Sequence, residues 1–460
     1  MGRLRFLFLL LLFALPQNIT LHANGPPDVM AGAAVLMDVG SGKVLFEHNA
    51  HETLFPAGIT RVMTALVALD HLCPDDVIVV GAEIFNVPAG VFRAGHQQGE
   101  HITVRNVLRG LLLRSGNDSG AVLALHTVQA ERGRTGIPYA SAERIFSGMM
   151  NDRARALGAT RTNFVNPNGL HNESHVTTAH DMALIARAFM EHPVLAGIVA
   201  DREFIGNSLD GVADPPTGVR TQDYVWLNNN ELLSGGPFTY VYAVGITTGS
   251  TPQAGDNVVA AAQKNGVNLV AVVLNAPDPA RWEAAVALFD YGFAQYRYHT
   301  LLAAGESVAL LPIENAIRGH PRTMNVVSGY AFAVLLNDGE ATRLERHLRI
   351  NEYFMPSGEA PPSLEAAALR APMKPGQPIG TIAYILDGQI VFEGPALASA
   401  MAKPRTWDAD MDYFLHWVQV RFFSVRSLPY WLGVAGVLFG LAGISYAVNE
   451  RRRRKRAWYK

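Results

Sequence analysis

Two short, largely apolar runs, Ala33–Asp38 and Lys43–His48, are joined by Val39-Gly40-Ser41-Gly42, a pattern that predicts a β-hairpin. After Pro56 the period lengthens. Val62, Leu66 and Leu69 recur at i, i+4 and i+7, which predicts a helix that begins at the proline, whose missing N–H costs nothing there. A mostly helical stretch extends to about Pro193, interrupted by loops such as Asn166-Pro167-Asn168-Gly169. From Tyr240 the strand period returns in Tyr240–Thr247, Asn257–Ala262 and Asn268–Leu274. Gly255-Asp256 and Asn265-Gly266 read as the turns of an antiparallel meander. An amphipathic helix over Pro279–Tyr296 closes this unit. Shorter β runs follow at Ser307–Leu311, Ala331–Leu336 and Ile379–Phe392, the last holding the hairpin signature Leu386-Asp387-Gly388-Gln389. These predict a small all-β domain.

The two ends read differently. Arg3 and Arg5 precede the apolar run Phe6–Leu15, and Leu21-His22-Ala23 offers a small residue for cleavage, the pattern of a secretory signal peptide. Leu428–Val448 is 21 residues without a charge, followed by the basic cluster 451–456, which predicts a transmembrane helix with a cytoplasmic tail. Between them, Met411, Phe414, Leu415, Val418 and Phe422 share a helical face. That segment reads either as an interfacial helix on the outer leaflet or as a helix packed on the β domain. The expected layout is a signal peptide (1–23), a first domain (24–296), a small β domain (297–402), a juxtamembrane segment (403–427), a transmembrane helix (428–449) and a basic tail (450–460). The bulk of the chain is then extracytoplasmic.

Composition narrows the function. With 460 residues, 49% hydrophobic and 17% charged, the chain has ample material for two or three cored domains. One cysteine, Cys73, excludes a disulfide framework and a thiolate metal cluster. The net charge of −2 hides an asymmetry: setting aside Arg3, Arg5, the six-residue basic cluster, Lys460 and Glu450 leaves 29 basic against 39 acidic residues. An acidic exported body argues against nucleic acid as a partner.

Six strings in order then point to one family: Ala34-Val35-Leu36-Met37-Asp38, Ser41-Gly42-Lys43-Val44-Leu45, Ser115-Gly116-Asn117-Asp118, Asn166-Pro167-Asn168-Gly169-Leu170, Asp181-Met182-Ala183-Leu184-Ile185-Ala186 and Gly245-Ile246-Thr247-Thr248-Gly249. Over about residues 31–300 the chain resembles the serine-type D-Ala-D-Ala carboxypeptidases, the low-molecular-mass penicillin-binding proteins of bacterial cell walls. Pro372–Glu393 resembles the β domain that follows in that family. The resemblance implies an α+β fold: a DD-peptidase/β-lactamase-like domain of antiparallel sheet plus helical cluster, then a small all-β domain. It also implies peptidoglycan stem peptides ending in D-Ala-D-Ala as partners, and no cofactor or metal.

The family's chemistry uses Ser-x-x-Lys, Ser-x-Asn and Lys-Thr-Gly clusters meeting in one cleft. Serine and lysine three apart share a helical face, so the lysine takes the serine proton before attack on the peptide carbonyl. In Phe55-Pro56-Ala57-Gly58-Ile59-Thr60-Arg61, Gly58 stands at the serine position and Arg61 at the lysine position. Thr247 replaces the third cluster's lysine, while Ser115, Asn117, Thr248 and Gly249 keep the family identities. Glycine forms no acyl-enzyme, and a guanidinium is no general base. In another serine hydrolase, loss of the nucleophile alone costs about 10⁶-fold in turnover.

Thr60 is rotated off the productive face, and His171, His175 and His180 fall around a loop and a helix start with no metal-ligand pattern. No catalytic set is therefore intact. Three functions remain open. One is an inactive homologue that binds stem peptides through Arg61, Ser115, Asn117, Thr248, Gly249 and Ser250. A second is a membrane-held scaffold for other cell-wall enzymes. The third is a working carboxypeptidase with an unrecognised nucleophile. Arg61 itself reads either as a bidentate partner for a peptide carboxylate or as structural filling of vacated space.

Overall fold

The computed structural model describes residues 25–317, 321–355 and 368–403, with Met411 and Leu415. The expected signal peptide and transmembrane helix, and most of the juxtamembrane helix, lie outside the described residues. Among the described residues no single helix is long and apolar enough to cross a membrane. The chain divides into two compact units, one ending at Tyr298 and the other beginning at His299.

In the first unit, β1 (Ala33–Asp38) and β2 (Val44–His48) form the expected hairpin. A single 3-10 turn, Ala57–Thr60, leads into α1 (Arg61–Leu69). The middle of the unit contains two ribbons that periodicity did not announce. One pairs β3 (Val77–Val79) with β4 (His101–Thr103). Between the ribbons lie α2 (Val104–Leu112), α3 (Asn117–Arg132), α4 (Tyr139–Ala156), α5 (Ala179–Glu191) and α6 (Pro193–Ala200). The second ribbon pairs β5 (Glu203–Asn207) with β6 (Asp223–Leu227). The meander follows as β7 (Ala243–Thr251), β8 (Gly255–Lys264) and β9 (Val267–Ala276), and α7 (Ala280–Gln295) closes the unit.

One turn was misplaced by sequence. Gly255 and Asp256 are already inside β8, paired with Thr251 and Ser250, so the bend falls just before them.

These strands form one antiparallel sheet in the order β2-β1-β9-β8-β7. Leu269 through Leu274 on β9 are all fully buried, so both faces of the sheet are covered. One face, with Val270, Val272 and Leu274, joins the core that includes α1 and α5. The other takes α7, where Gly292 lets the helix approach: a β-carbon there would stand 2.6 Å from Leu269 Cδ1 and 2.8 Å from Leu36 Cδ2. This arrangement leaves β7 as the sheet edge, beside the turn that carries Gly58.

β10 (Arg297–Leu302) runs across the boundary, and the second unit continues with β11 (Ser307–Glu314), β12 (Thr323–Ser328), β13 (Phe332–Leu336), β14 (Glu345–Ile350), β15 (Leu369–Arg370), β16 (Pro378–Leu386) and β17 (Gln389–Ala398). Six of these form a sheet in the order β14-β16-β17-β12-β11-β15. The Asp387-Gly388 turn has φ of 50° and 81°, the positive pair that a tight hairpin requires. Leu311, Val326, Ile350, Ile379 and Ile382 form its core. The unit is not purely β. A short helix, α8 (Asp338–Arg343), is held by a capping box in which Asn337 and Glu340 satisfy each other's backbone N–H.

Candidate functional site

The segment before α1 is fixed from two sides. Asn257 on β8 donates through Nδ2 to the carbonyls of Phe55 and Pro56, both at 2.9 Å, and its Oδ1 accepts from Asn275 N–H at 2.8 Å. On the other side, the Asn166 side chain gathers the N–H groups of Asn168, Gly169 and Leu170, which shapes a tight loop. Thr64 on α1 donates to the Pro167 carbonyl at 2.6 Å. Gly169, at φ 77°, sits so close to the turn that a β-carbon would meet Ala57 and come within 2.9 Å of Thr60 Oγ1.

Gly249 approaches from β7 in the same way. A β-carbon there would lie 2.7 Å from both Gly58 Cα and Ile59 N. The edge strand and the turn thus meet backbone to backbone, and only glycine fits the contact.

Arg61 fills what this geometry leaves open. Its side chain is 4% exposed and bends back over Gly58, so that a β-carbon on residue 58 would stand 2.6 Å from Nη1 and 2.7 Å from Cζ. Nη2 donates to Ser115 Oγ at 2.9 Å and to the Thr248 carbonyl at 2.8 Å. Burial lowers its pKa to about 10, so it remains a cation at neutral pH.

Ser115 lies just before α3 with φ of 60°, an unusual backbone for a residue with a β-carbon. Its Oγ also accepts from Asn229 Nδ2 at 2.5 Å. Asn117 opens α3, and its amide donates to the Phe92 carbonyl at 2.8 Å and, at 3.4 Å, to the Ser115 carbonyl. Asp118 fixes that neighbouring loop by accepting from the N–H groups of Ala94, Gly95 and His96. Thr248 Oγ1 donates across to the Asn257 carbonyl, Thr247 is fully buried with its hydroxyl unpartnered, and Ser250 is exposed.

The residue profile of the D-alanyl-D-alanine carboxypeptidase family matches positions 20–278, more than half of the chain. The chain belongs to this family. The carboxypeptidase DacF of Bacillus subtilis is 27% identical over 81% of the chain and 86% of its own length. DacC of Escherichia coli is 29% identical over 90% and 94%. Penicillin-binding protein 5 of Haemophilus influenzae shares the fold at a TM-score of 0.59 and 23% identity, covering 82% of this chain and all but 1% of its own.

Within this family member the structure brings Gly58, Arg61, Ser115, Thr248 and Gly249 into one cluster, with Thr247 beside it on β7. Asn117 borders the cluster, its amide shared between the Phe92 and Ser115 carbonyls. Ser250 stands farther along the strand, in solvent.

One further polar pair has the look of serine-like chemistry. Thr60 Oγ1 lies 2.9 Å from His175 Nε2 and resembles a hydroxyl–imidazole pair. Val165 N–H donates to His175 Nδ1, however, so the ring's own proton is on Nε2 and is given to Thr60. Thr60 in turn donates to the Ala57 carbonyl at 2.8 Å. The imidazole is a donor here, not a base. Among the described residues no group of histidine, cysteine and carboxylate side chains is placed to hold a metal.

Asn229 was not singled out from sequence. Its cue was present in the run Asn228-Asn229-Asn230 directly after an alternating strand, a polar cluster richer than a simple turn requires.

Proposed function

We propose that this carboxypeptidase-family protein is an exported, membrane-anchored and catalytically inactive member that acts in the bacterial cell wall by holding rather than cutting. The observation that carries the reading is the Arg61 guanidinium over Gly58. The nucleophile's position has no side chain, and the space it would use is filled by a cation bonded to Ser115 and Thr248. A group that stays protonated near neutral pH takes no proton from a hydroxyl. The signal-peptide pattern at 1–23 and the uncharged stretch 428–449 with its basic flank support export and anchoring, with the tail inside.

What is held follows from the family: peptidoglycan stem peptides ending in D-Ala-D-Ala, or wall enzymes gathered at the membrane surface. A peptide laid along β7 must compete with Arg61 for the Thr248 carbonyl and the Ser115 hydroxyl. Such recognition is weaker than in a cleft whose polar groups are free. A scaffold requires no such exchange.

The test is covalent labelling of the full chain by a fluorescent penicillin, read by intact mass, beside the Gly58→Ser, Arg61→Lys, Thr247→Lys triple variant. Labelling of the triple variant alone is the expected result. An adduct on the unmodified chain, or release of D-alanine from a stem peptide above a no-protein blank, overturns the reading. Titration with the same peptide then separates the two kinds of holding: saturable binding that weakens in Asn117→Ala marks the peptide binder.

A further inference from the structure

Donors outnumber acceptors around Arg61. Its Nε–H is buried without a partner, and no carboxylate among the described residues offsets the charge. Ser115 Oγ accepts from both Arg61 and Asn229, which leaves its own proton without an acceptor among the described contacts. Thr247 Oγ1 is fully buried and unpartnered. Alternate residues of a strand share a face, so Thr247 points to the same side of β7 as Gly249, which is the side that meets Gly58. Asn229 donates to Ser115 through Nδ2, so it does not take up the Ser115 proton, and its own Oδ1 is left unpartnered.

Backbone electrostatics add to the positive field. Arg61 is the first residue of α1, with no acidic residue in that first turn. Ser115 lies two positions before α3, again at the positive end of a helix. The one acid in the first turn of α3, Asp118, is spent on three loop N–H groups. A buried, unpaired cation is destabilising unless something negative joins it.

We propose that Arg61, Ser115 and Thr247 form a binding site for one small monovalent anion, either a halide ion or the carboxylate group of a ligand, on the Nε side of the Arg61 guanidinium. The anion accepts from Arg61 Nε and from the two hydroxyls, and it neutralises the guanidinium. This goes beyond the loss of catalysis, because Gly58 alone accounts for inactivity whether or not an anion binds.

The test is the melting temperature of the full chain in detergent, titrated with sodium bromide, sodium acetate or N-acetyl-D-alanine at constant ionic strength. Arg61→Met and Thr247→Val are run in parallel. A site near saturation raises Tm by on the order of 2–4 °C. The expected result is a saturable rise that Arg61→Met loses and Thr247→Val weakens. Response to bromide alone identifies a sealed ion site; response to both carboxylates as well identifies a ligand's acid group. The same shift in wild type and Arg61→Met overturns the proposal. Crystals of the unmodified protein grown in bromide provide a second readout that needs no variant. An anomalous peak within hydrogen-bonding reach of Arg61 Nε supports the site, and a water there in its place refutes it.

Discussion

Arg61 and Gly58 occupy one another's space: the guanidinium lies where the first carbon of any side chain at position 58 would be, 2.6 Å from Nη1 and 2.7 Å from Cζ. The two residues are therefore one structural unit, three positions apart across the turn into α1.

Gly58→Ser alone forces the guanidinium off both Ser115 and Thr248, and it is expected to destabilise the fold by about 1–3 kcal/mol. Adding Arg61→Lys shortens the obstructing group and recovers part of that loss. Urea denaturation of the single and double variants gives the coupling energy, expected to be about 1 kcal/mol or more. Simple additivity would mean that the guanidinium moves aside without cost. The triple variant with Thr247→Lys folds with a lower Tm than the unmodified chain, because it places an ammonium in a fully buried position.

Gly249→Ala tests a contact with no flexible partner. The new methyl meets Gly58 Cα and Ile59 N, both backbone atoms, so β7 and the turn must separate. A loss of about 2–3 kcal/mol is expected, larger than for Gly236→Ala, whose nearest neighbour is the Ser234 hydroxyl at 3.4 Å. Equal effects at the two positions would show that the close approach is not retained in solution.

His175 sets an acid limit on stability. Burial lowers its pKa from 6.5 to about 4, so the unfolded chain binds a proton before the folded one does. Its contribution is complete above pH 6.5 and is lost as pH falls toward 4. The linked loss is about 3 kcal/mol across that window. His175→Gln, which can still accept from Val165 N–H or donate to Thr60, removes this part of the slope. Unfolding free energies at pH 7 and pH 4.5 check it; an unchanged slope in the variant would assign the acid sensitivity elsewhere. His96, also lowered by burial against the opposing pull of Asp118 and Glu100, adds a slope of the same sign.

Asn257→Ala removes both bonds that hold Phe55 and Pro56 and leaves their carbonyls and the Asn275 N–H without this partner. A loss of about 2–4 kcal/mol is expected, from several unsatisfied polar groups at once. Hydrogen exchange of Asn275 N–H reports it locally. Protection unchanged from the unmodified chain would remove Asn257 from the frame of the site.

The elements with strong periodicity were readable. The hairpin 33–48, the helix after Pro56, the meander and α7 all follow from alternation or the i, i+4 pattern, since each buries a continuous face. The ribbons β3–β4 and β5–β6 were not. Val77–Val79 is too short to display a period, and Phe204, Tyr224 and Trp226 are strand residues whose partners lie far along the chain. In the site, the identities at 58, 61, 115 and 247–249 were legible because a missing side chain or a changed charge is visible in the sequence. The direction in which Arg61 bends was not, because three-residue spacing places it near position 58 without saying that its guanidinium will bridge Ser115 and the Thr248 carbonyl. The Asn228-Asn229-Asn230 run was visible, but that Asn229 reaches Ser115 depends on where the β6 ribbon docks, which no local pattern shows.

The packing of Arg61 on Gly58 also sets the terms on which a serine–lysine pair could be restored at positions 58 and 61. A serine restored at 58 collides with the arginine, a lysine restored at 61 has no hydroxyl to serve, and a lysine restored at 247 lands beside a guanidinium of like charge. Each step alone is neutral at best and harmful at worst. On the proposed reading, the Gly58–Arg61 exchange behaves as a ratchet, held in place by the contact between the two residues.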